Sequence, residues 1–238
     1  MITQSRIKNT AKEVVRNNFR LCLGIAAIVM YTFPLITYSV NNLFYLFRRQ
    51  ADIINYIYWI TLFVLSSGFT LGLAYTFISM TGRKETDIET FFLGFENIFR
   101  AILLNILVSL FVFLWSLLLV IPGIIALYRY KMAFYILSES PELSPIDAIR
   151  ISKRMTEGKK MDLFLFDLSF IGWFLLSALT AGLAGLYVMP YYYSASAILY
   201  KELKMDYVDR GSQAETHSEN PNYRSEKERE NHTWEHHQ

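Results

Sequence analysis

Residues 101–128 read AILLNILVSLFVFLWSLLLVIPGIIALY and contain no Lys, Arg, Asp, Glu or His. An α-helix rises about 1.5 Å per residue, so roughly 20 apolar residues cross the hydrocarbon core of a membrane, and this stretch exceeds that length. Pro122-Gly123 interrupts the stretch and is typical of a tight turn. We therefore predict two membrane helices here, a third span at 101–121 and a short fourth span at 123–137.

Two basic residues, Arg129 and Lys131, fall inside the predicted fourth span. On a helix they point about 200° apart, so they cannot share one cavity. Lys131 lies between Tyr128 and Tyr135, which could receive it by cation–π contact. Two interpretations stay open: both residues anchor the helix at the membrane interface, or Arg129 faces the interior and holds a lipid phosphate or a buried polar partner.

The rest of the chain up to residue 204 repeats the pattern of apolar segments joined by polar connections. Hydrophobic residues make up 53% of the sequence, and most of the polar residues outside the connections lie in the last segment. That leaves too little charge to cover one soluble domain. We predict an all-α polytopic transmembrane helical bundle in a domain at 21–204. Its other spans are about 21–40, 57–80, 163–179 and 183–200, which makes six in all.

Polar and amphipathic segments flank these spans. Residues 1–20 predict an N-terminal amphipathic helix, which could lie on an anionic inner leaflet or stay solvated. Residues 144–158 predict a short helix at the membrane surface, with Ser144 as N-cap, Pro145 in its first turn and Gly158 at its end. Residues 205–238 are polar with almost no aliphatic side chains and predict a disordered cytoplasmic tail.

The distribution of basic residues predicts the orientation. Five lie in 1–20, three in 81–100 and five in 139–162, whereas the predicted outer segments hold only Arg48 and Arg49. Lys and Arg concentrate on the cytoplasmic side of membrane proteins, so we expect a multi-pass cell-membrane protein with both termini in the cytoplasm. Without a crossing at 123–137, the five basic residues of 139–162 would face the outside, and this favours the fourth span.

The sequence offers little catalytic chemistry. Its one cysteine, Cys22, cannot form an intramolecular disulfide, and all four histidines lie between residues 217 and 237. Asp167 is the one carboxylate inside a predicted span. We therefore expect no enzyme, cofactor or metal, and the net charge of +2 gives no reason to expect a nucleic-acid partner.

Three charged residues are candidates for intramembrane polar or lipid contacts: Arg129, Lys131 and Asp167. Two functions fit them. The first is a non-enzymatic membrane component that acts through partners or on the envelope. The second is a transporter, or a subunit of one, in which charged residues line a path. The expected partners are the lipid bilayer and a membrane protein or a second copy of the chain.

The second half of the chain, about 121–200, resembles the bacterial integral membrane family called domain of unknown function 975 (DUF975). The resemblance rests on short segments that are specific as a set, whereas the first half is similar only in hydropathy. The matching segments are Ile121-Pro122-Gly123-Ile124-Ile125, Tyr128, Met132-Ala133, Tyr135-Ile136-Leu137, Ala148-Ile149, Ser152, Gly158, Lys160, Phe164, Leu168-Ser169-Phe170-Ile171-Gly172-Trp173, Pro190-Tyr191, Ala195, Ala197 and Tyr200. The resemblance implies a multi-spanning membrane protein without an assigned activity or catalytic residue.

Overall fold

The computed structural model describes residues 4–46, 51–82 and 86–219. Within these residues all regular secondary structure is α-helical, as predicted, and Arg48, Arg49 and the chain beyond residue 219 lie outside them. The helices are α1 Gln4–Asn17, α2 Phe19–Leu46, α3 Ala51–Thr81, α4 Ile88–Glu96, α5 Ile98–Leu118, α6 Val120–Tyr130, α7 Ala133–Glu139, α8 Pro145–Met155, α9 Lys160–Leu168, α10 Ile171–Leu179 and α11 Gly185–Glu219.

Four helical stretches in the described part of the chain are long and apolar enough to cross a membrane. They are Phe19–Val40, Asn55–Thr81, Ile98–Leu117 and Lys160–Leu179, the last formed by α9 and α10 in succession. These four agree with the predicted spans at 21–40, 57–80, 101–121 and 163–179. The predicted spans at 123–137 and 183–200 are not among them.

The turn after the third apolar helix lies earlier than predicted. Leu119 has an extended backbone (φ −165°, ψ 152°), and Pro122 and Gly123 belong to the first turn of α6. Proline is tolerated there because the first amides of a helix have no intrahelical acceptor. Gly123 instead allows close packing of α5 and α6, since a Cβ on it would clash with the Ser116 side chain. The prediction of a turn at Pro122-Gly123 is therefore corrected to Leu119.

The segment predicted as one short span at 123–137 contains two helices. Helix α6 ends at Tyr130, Lys131 and Met132 form a turn, and α7 begins at Ala133. The apolar pattern of the sequence continues across this turn, so hydropathy alone does not reveal the break. The break lies at Lys131, the residue on which the candidate site is built.

The long helices pack in antiparallel pairs. Helices α2 and α3 meet near one end through Cys22 and Met80, whose sulfur atoms are 4.0 Å apart. Farther along, the hydroxyl groups of Thr37 and Tyr58 are 3.0 Å apart. Helix α5 runs antiparallel to α3, and Asn105 Nδ2 donates to Ser67 Oγ at 2.8 Å.

Glycines bring α3 and α4 into close contact. The spacing of Gly68 and Gly72 predicts a packing face, and the structure identifies α4 as the helix that packs there. A Cβ on Gly68 would lie 2.7 Å from the Phe95 ring, and one on Gly72 would clash with the Phe91 carbonyl oxygen. A Cβ on Gly94 would in turn clash with the α3 backbone. The α3–α4 interface therefore depends on glycines of both helices.

The two amphipathic helices bury their apolar faces against protein. Ile7, Ala11 and Val15 of α1 are buried, and α1 packs along α11. Ile149 and Met155 of α8 are buried among α5, α6, α7 and α11. Neighbouring helices therefore cover much of these apolar stripes, as an amphipathic pattern also permits, and the placement of the two helices at a membrane surface stays a prediction. The predicted N-cap of α8 is confirmed, because Ser144 Oγ accepts a hydrogen bond from the Asp147 amide at 3.1 Å.

Helix α11 continues into the segment predicted as a disordered tail. Residues 205–219 are helical, whereas residues 220–238 lie outside the described part of the chain. Extending an existing helix costs much less than nucleating one, so a polar segment can continue a helix that apolar packing has already formed. Arg210 supports the extension, since its side chain pairs with Asp206 one turn earlier at 3.3 Å and reaches the Met155 carbonyl oxygen at 3.4 Å.

Candidate functional site

Lys131 and Asp167 form an ion pair between the α6–α7 turn and α9. The Lys131 ammonium donates to Asp167 Oδ1, and the two side chains are 16% and 27% exposed. The residues are 36 positions apart in the sequence. Two of the three charged candidates are therefore in direct contact.

A tyrosine completes the polar contacts of Asp167. The Tyr192 hydroxyl, on α11, donates to the same carboxylate oxygen at 3.0 Å. Burying an ionised carboxylate is costly unless an opposite charge and hydrogen bonds compensate it, and Lys131 and Tyr192 supply both. The ion pair therefore connects the α6–α7 turn, α9 and α11.

Aromatic rings surround the Lys131 ammonium. Its nitrogen lies 5.2 Å from the ring centroid of Phe166, 5.5 Å from that of Tyr192 and 5.7 Å from that of Tyr128. We call these three rings the aromatic cage. Each ring face attracts a cation and also limits the access of water. Of the two predicted cation–π partners of Lys131, Tyr128 is confirmed, whereas Tyr135 stacks on Tyr200 at 5.7 Å.

Arg129 lies apart from this site, in agreement with the predicted divergence of the two basic side chains. Its guanidinium carbon is 5.9 Å from the Trp115 ring centroid on α5. Its Nε is buried and has no hydrogen-bond partner among the described residues. The Arg129 carbonyl oxygen accepts from Ser152 Oγ at 2.9 Å and from Thr156 Oγ1 at 3.3 Å. The interior ion pair is thus made by Lys131, and Arg129 packs against an aromatic ring.

A second polar cluster, which the sequence does not reveal, joins α7 and α11. Glu139 Oε2 accepts from the Tyr200 hydroxyl and from Lys204 Nζ, the latter at 2.6 Å. Burial favours the neutral form of Glu139, but the hydrogen bonds from Lys204 and Tyr200 outweigh it and hold the pKa of the carboxyl below its usual value. Glu139 and Lys204 are 65 positions apart, and no spacing rule links residues so distant in sequence.

The ion-pair site offers electrostatic attraction and hydrogen bonds. Among the described residues, no group of three or more His, Cys, Asp or Glu side chains is arranged to hold a metal ion. The site offers one carboxylate, one ammonium and a tyrosine hydroxyl within hydrogen-bond distance. These three groups can hold three segments of the chain together. Alternatively, the Asp167 carboxylate or the Lys131 ammonium can release its partner and bind an ion of opposite charge.

Comparisons with known proteins support the resemblance seen in the sequence. Residues 117–206 match the family described as Protein of unknown function (DUF975). No curated protein and no solved structure matches the chain. The matched segment includes Lys131, Asp167 and Tyr192, and also the second cluster of Glu139, Tyr200 and Lys204. The similarity to the DUF975 family, whose function is uncharacterised, therefore covers residues 117–206 of this chain.

Proposed function

We propose that this chain is a multi-pass integral membrane protein whose helical bundle crosses the membrane about six times. The observation that carries the proposal is the exposure of large apolar side chains along its long helices. Leu117 is 72% exposed and Leu179 is 85% exposed, and Tyr56 and Ile121 are exposed to a similar extent. Soluble proteins rarely leave extended apolar surfaces uncovered, whereas lipid tails would cover these.

The positions of exposed apolar side chains and of basic segments are consistent with one orientation of the bundle in the membrane. The four side chains named above lie near the start of α3, the α5–α6 connection and the end of α10. With both termini in the cytoplasm, these ends all belong to the outer half of the membrane. The most basic segments, 1–20 and 139–162, belong to the cytoplasmic side.

Two further crossings complete the count of six. Helix α6 has 11 residues and covers only about 16 Å, so it needs α7 to continue the crossing. The ion pair of Lys131 with Asp167 removes the main objection to a basic residue at this depth, because each charge compensates the other. The first part of α11 supplies the sixth crossing; its tyrosines and serines lower its hydropathy but are packed against other helices.

Within the membrane, we propose a non-enzymatic role, exerted through a partner protein, through self-association or on the envelope. The exposed basic face of α8, with Arg150, Lys153 and Arg154, offers a surface for such contacts. The second candidate is a transporter or transporter subunit, and the ion pair of Lys131 and Asp167 is the observation that favours it. Ionisable residues inside membrane proteins commonly mark ion or substrate paths.

Reporter fusions test the topology. Fusions after Lys160 and after Lys204 are expected to report the cytoplasm, and a fusion at residue 52 is expected to report the outside. A fusion after Lys160 that reports the outside would contradict the six-span arrangement and would leave α6 and α7 as a segment that enters and leaves the membrane on one side. Retention of the full chain in alkali-washed membranes tests the membrane assignment itself.

A further inference from the structure

An open pocket of about 400 Å³ lies between α1, the start of α2 and the start of α11. Its lining residues are Asn9, Lys12, Glu13, Arg16, Phe19 and Tyr187. Four of them, at positions 9, 12, 13 and 16, belong to α1 and share one helix face, since residues three or four apart are neighbours on a helix surface. The opposite face of α1 is buried against α11, which holds the lining residues in position.

The pocket has an excess of positive charge. Lys12 and Arg16 lie one turn apart and are exposed, and neither has an ion-pair partner within the described ranges. Glu13 is the one acidic residue among the lining side chains. The uncompensated charge favours an anionic ligand.

The pocket also has an apolar side that continues along a candidate span. Phe19 is half-exposed in the lining, and Leu23, one turn further along α2, is exposed as well. Phe19 is the first residue of the apolar stretch Phe19–Val40. If that stretch crosses the membrane, the pocket lies where lipid headgroups meet the hydrocarbon core.

We propose that this pocket binds the phosphate of an anionic phospholipid headgroup. Lys12 and Arg16 contact the phosphate oxygens, Asn9 adds a hydrogen bond, and an acyl chain runs along Phe19 and Leu23. Arginine suits this role because its planar guanidinium can bind two phosphate oxygens at once. The inference rests on the proposed membrane function, since Phe19–Val40 must be a membrane span for the acyl chain to lie there.

Binding of labelled phosphatidylglycerol to the purified full chain in detergent micelles tests the proposal. We expect the Lys12→Gln/Arg16→Gln variant to bind about tenfold more weakly, because two charge-assisted contacts are lost. The matched control is Arg100→Gln/Arg210→Gln, which removes the same charge from exposed positions of α5 and α11 outside the pocket. The control should stay within about twofold of the parent. An equal loss in both variants would indicate general charge attraction and overturn the site.

Binding measurements with a second lipid and with inorganic phosphate distinguish the possible ligands. We expect phosphatidylcholine to bind much more weakly than phosphatidylglycerol, and excess inorganic phosphate to displace little lipid. Full displacement by phosphate, or equal binding of both lipids, would overturn the lipid proposal. Glu13→Gln removes the opposing carboxylate and should tighten binding about twofold. If the double variant does not fold, Glu13→Gln decides: unchanged or weaker lipid binding would then contradict the site.

The membrane assignment has a separate readout. A parent chain that alkali removes from the membrane contradicts the proposed function, and with it the acyl-chain part of the pocket. A parent chain that stays in alkali-washed membranes, but binds both lipids equally, contradicts the pocket alone. The two failures are therefore distinguishable.

Discussion

The second half of α3 and the connection between α5 and α6 are both strongly apolar, yet their surroundings differ completely. Leu71 and Phe77 of α3 are buried by α4, α7 and α11, whereas Leu117 and Ile121 beside the α5–α6 connection are largely exposed. Hydropathy does not distinguish the two regions. The difference lies in which faces other helices cover, as at Gly72 beside α4 and at Ser67, which accepts from Asn105 of α5. In our proposal, lipid tails cover the exposed apolar surface beside the α5–α6 connection.

The largest effect is expected from filling the glycine contact in the packed region. Gly72→Ala places a Cβ against the Phe91 carbonyl oxygen, and backbone atoms of a packed helix can move aside only by opening the interface. We expect a loss of about 2–4 kcal/mol in the free energy of unfolding, measured by thermal or denaturant unfolding in detergent. The control is Gly24→Ala, because a Cβ there has no atom within 4 Å. Equal stability of the two variants would contradict the close α3–α4 packing.

The second prediction concerns the ion pair, which lies next to the packed region. Lys131→Leu leaves the Asp167 carboxylate without its cation, and we expect a loss of about 2–3 kcal/mol in unfolding free energy. The double variant Lys131→Leu/Asp167→Leu should recover most of this loss, because it removes both charges. Thermal unfolding of the single and double variants measures the coupling.

Arg129→Leu is the matched comparison. The sequence-based hypothesis of an interior Arg129 predicts that this change is more harmful than Lys131→Leu. The structure reverses that order, because Arg129 has an aromatic neighbour and no acidic partner among the described residues. A larger effect at Arg129 than at Lys131 would contradict the site as described here.

The third prediction is a pH effect at the cluster of Glu139, Tyr200 and Lys204. The folded-state pKa of Glu139 lies below its usual 4.5, so this carboxylate stabilises the fold above about pH 4.5 and loses that contribution as the pH falls through the folded-state pKa. Because both charged side chains are partly exposed, we expect only about 0.5–1 kcal/mol.

The measurement is thermal stability at pH 7 and at pH 4 for the parent and for Glu139→Gln. The variant should be less stable than the parent at pH 7 and should differ less from it at pH 4. A difference that grows at low pH would contradict the lowered pKa of Glu139.

Local rules predicted much of this molecule from its sequence. Four apolar helices follow from residue composition, and the start of α8 follows from Ser144 and Pro145. The site was predictable only in part. An unexpected charge in an apolar segment identifies Lys131 and Asp167 singly, but their pairing depends on the packing of α6 against α9, which no local pattern predicts. The partners of the apolar faces of α1 and α8 depend on tertiary packing, and an amphipathic pattern does not distinguish a helix from a lipid surface.

The smallest effect is expected at the exposed apolar surface, and it tests the comparison most directly. Leu117 and Leu104 lie on the same helix, α5, but Leu104 is fully buried and Leu117 is 72% exposed. In detergent, Leu104→Ala should lower the unfolding free energy by about 2–4 kcal/mol, because it leaves a cavity. Leu117→Ala should change it by less than about 0.5 kcal/mol, because micelle hydrocarbon replaces the lost methyl groups and no cavity forms. A loss at Leu117 similar to that at Leu104 would mean that another helix or a second copy of the chain covers the α5–α6 connection, and the surface assigned to lipid would then be a protein interface.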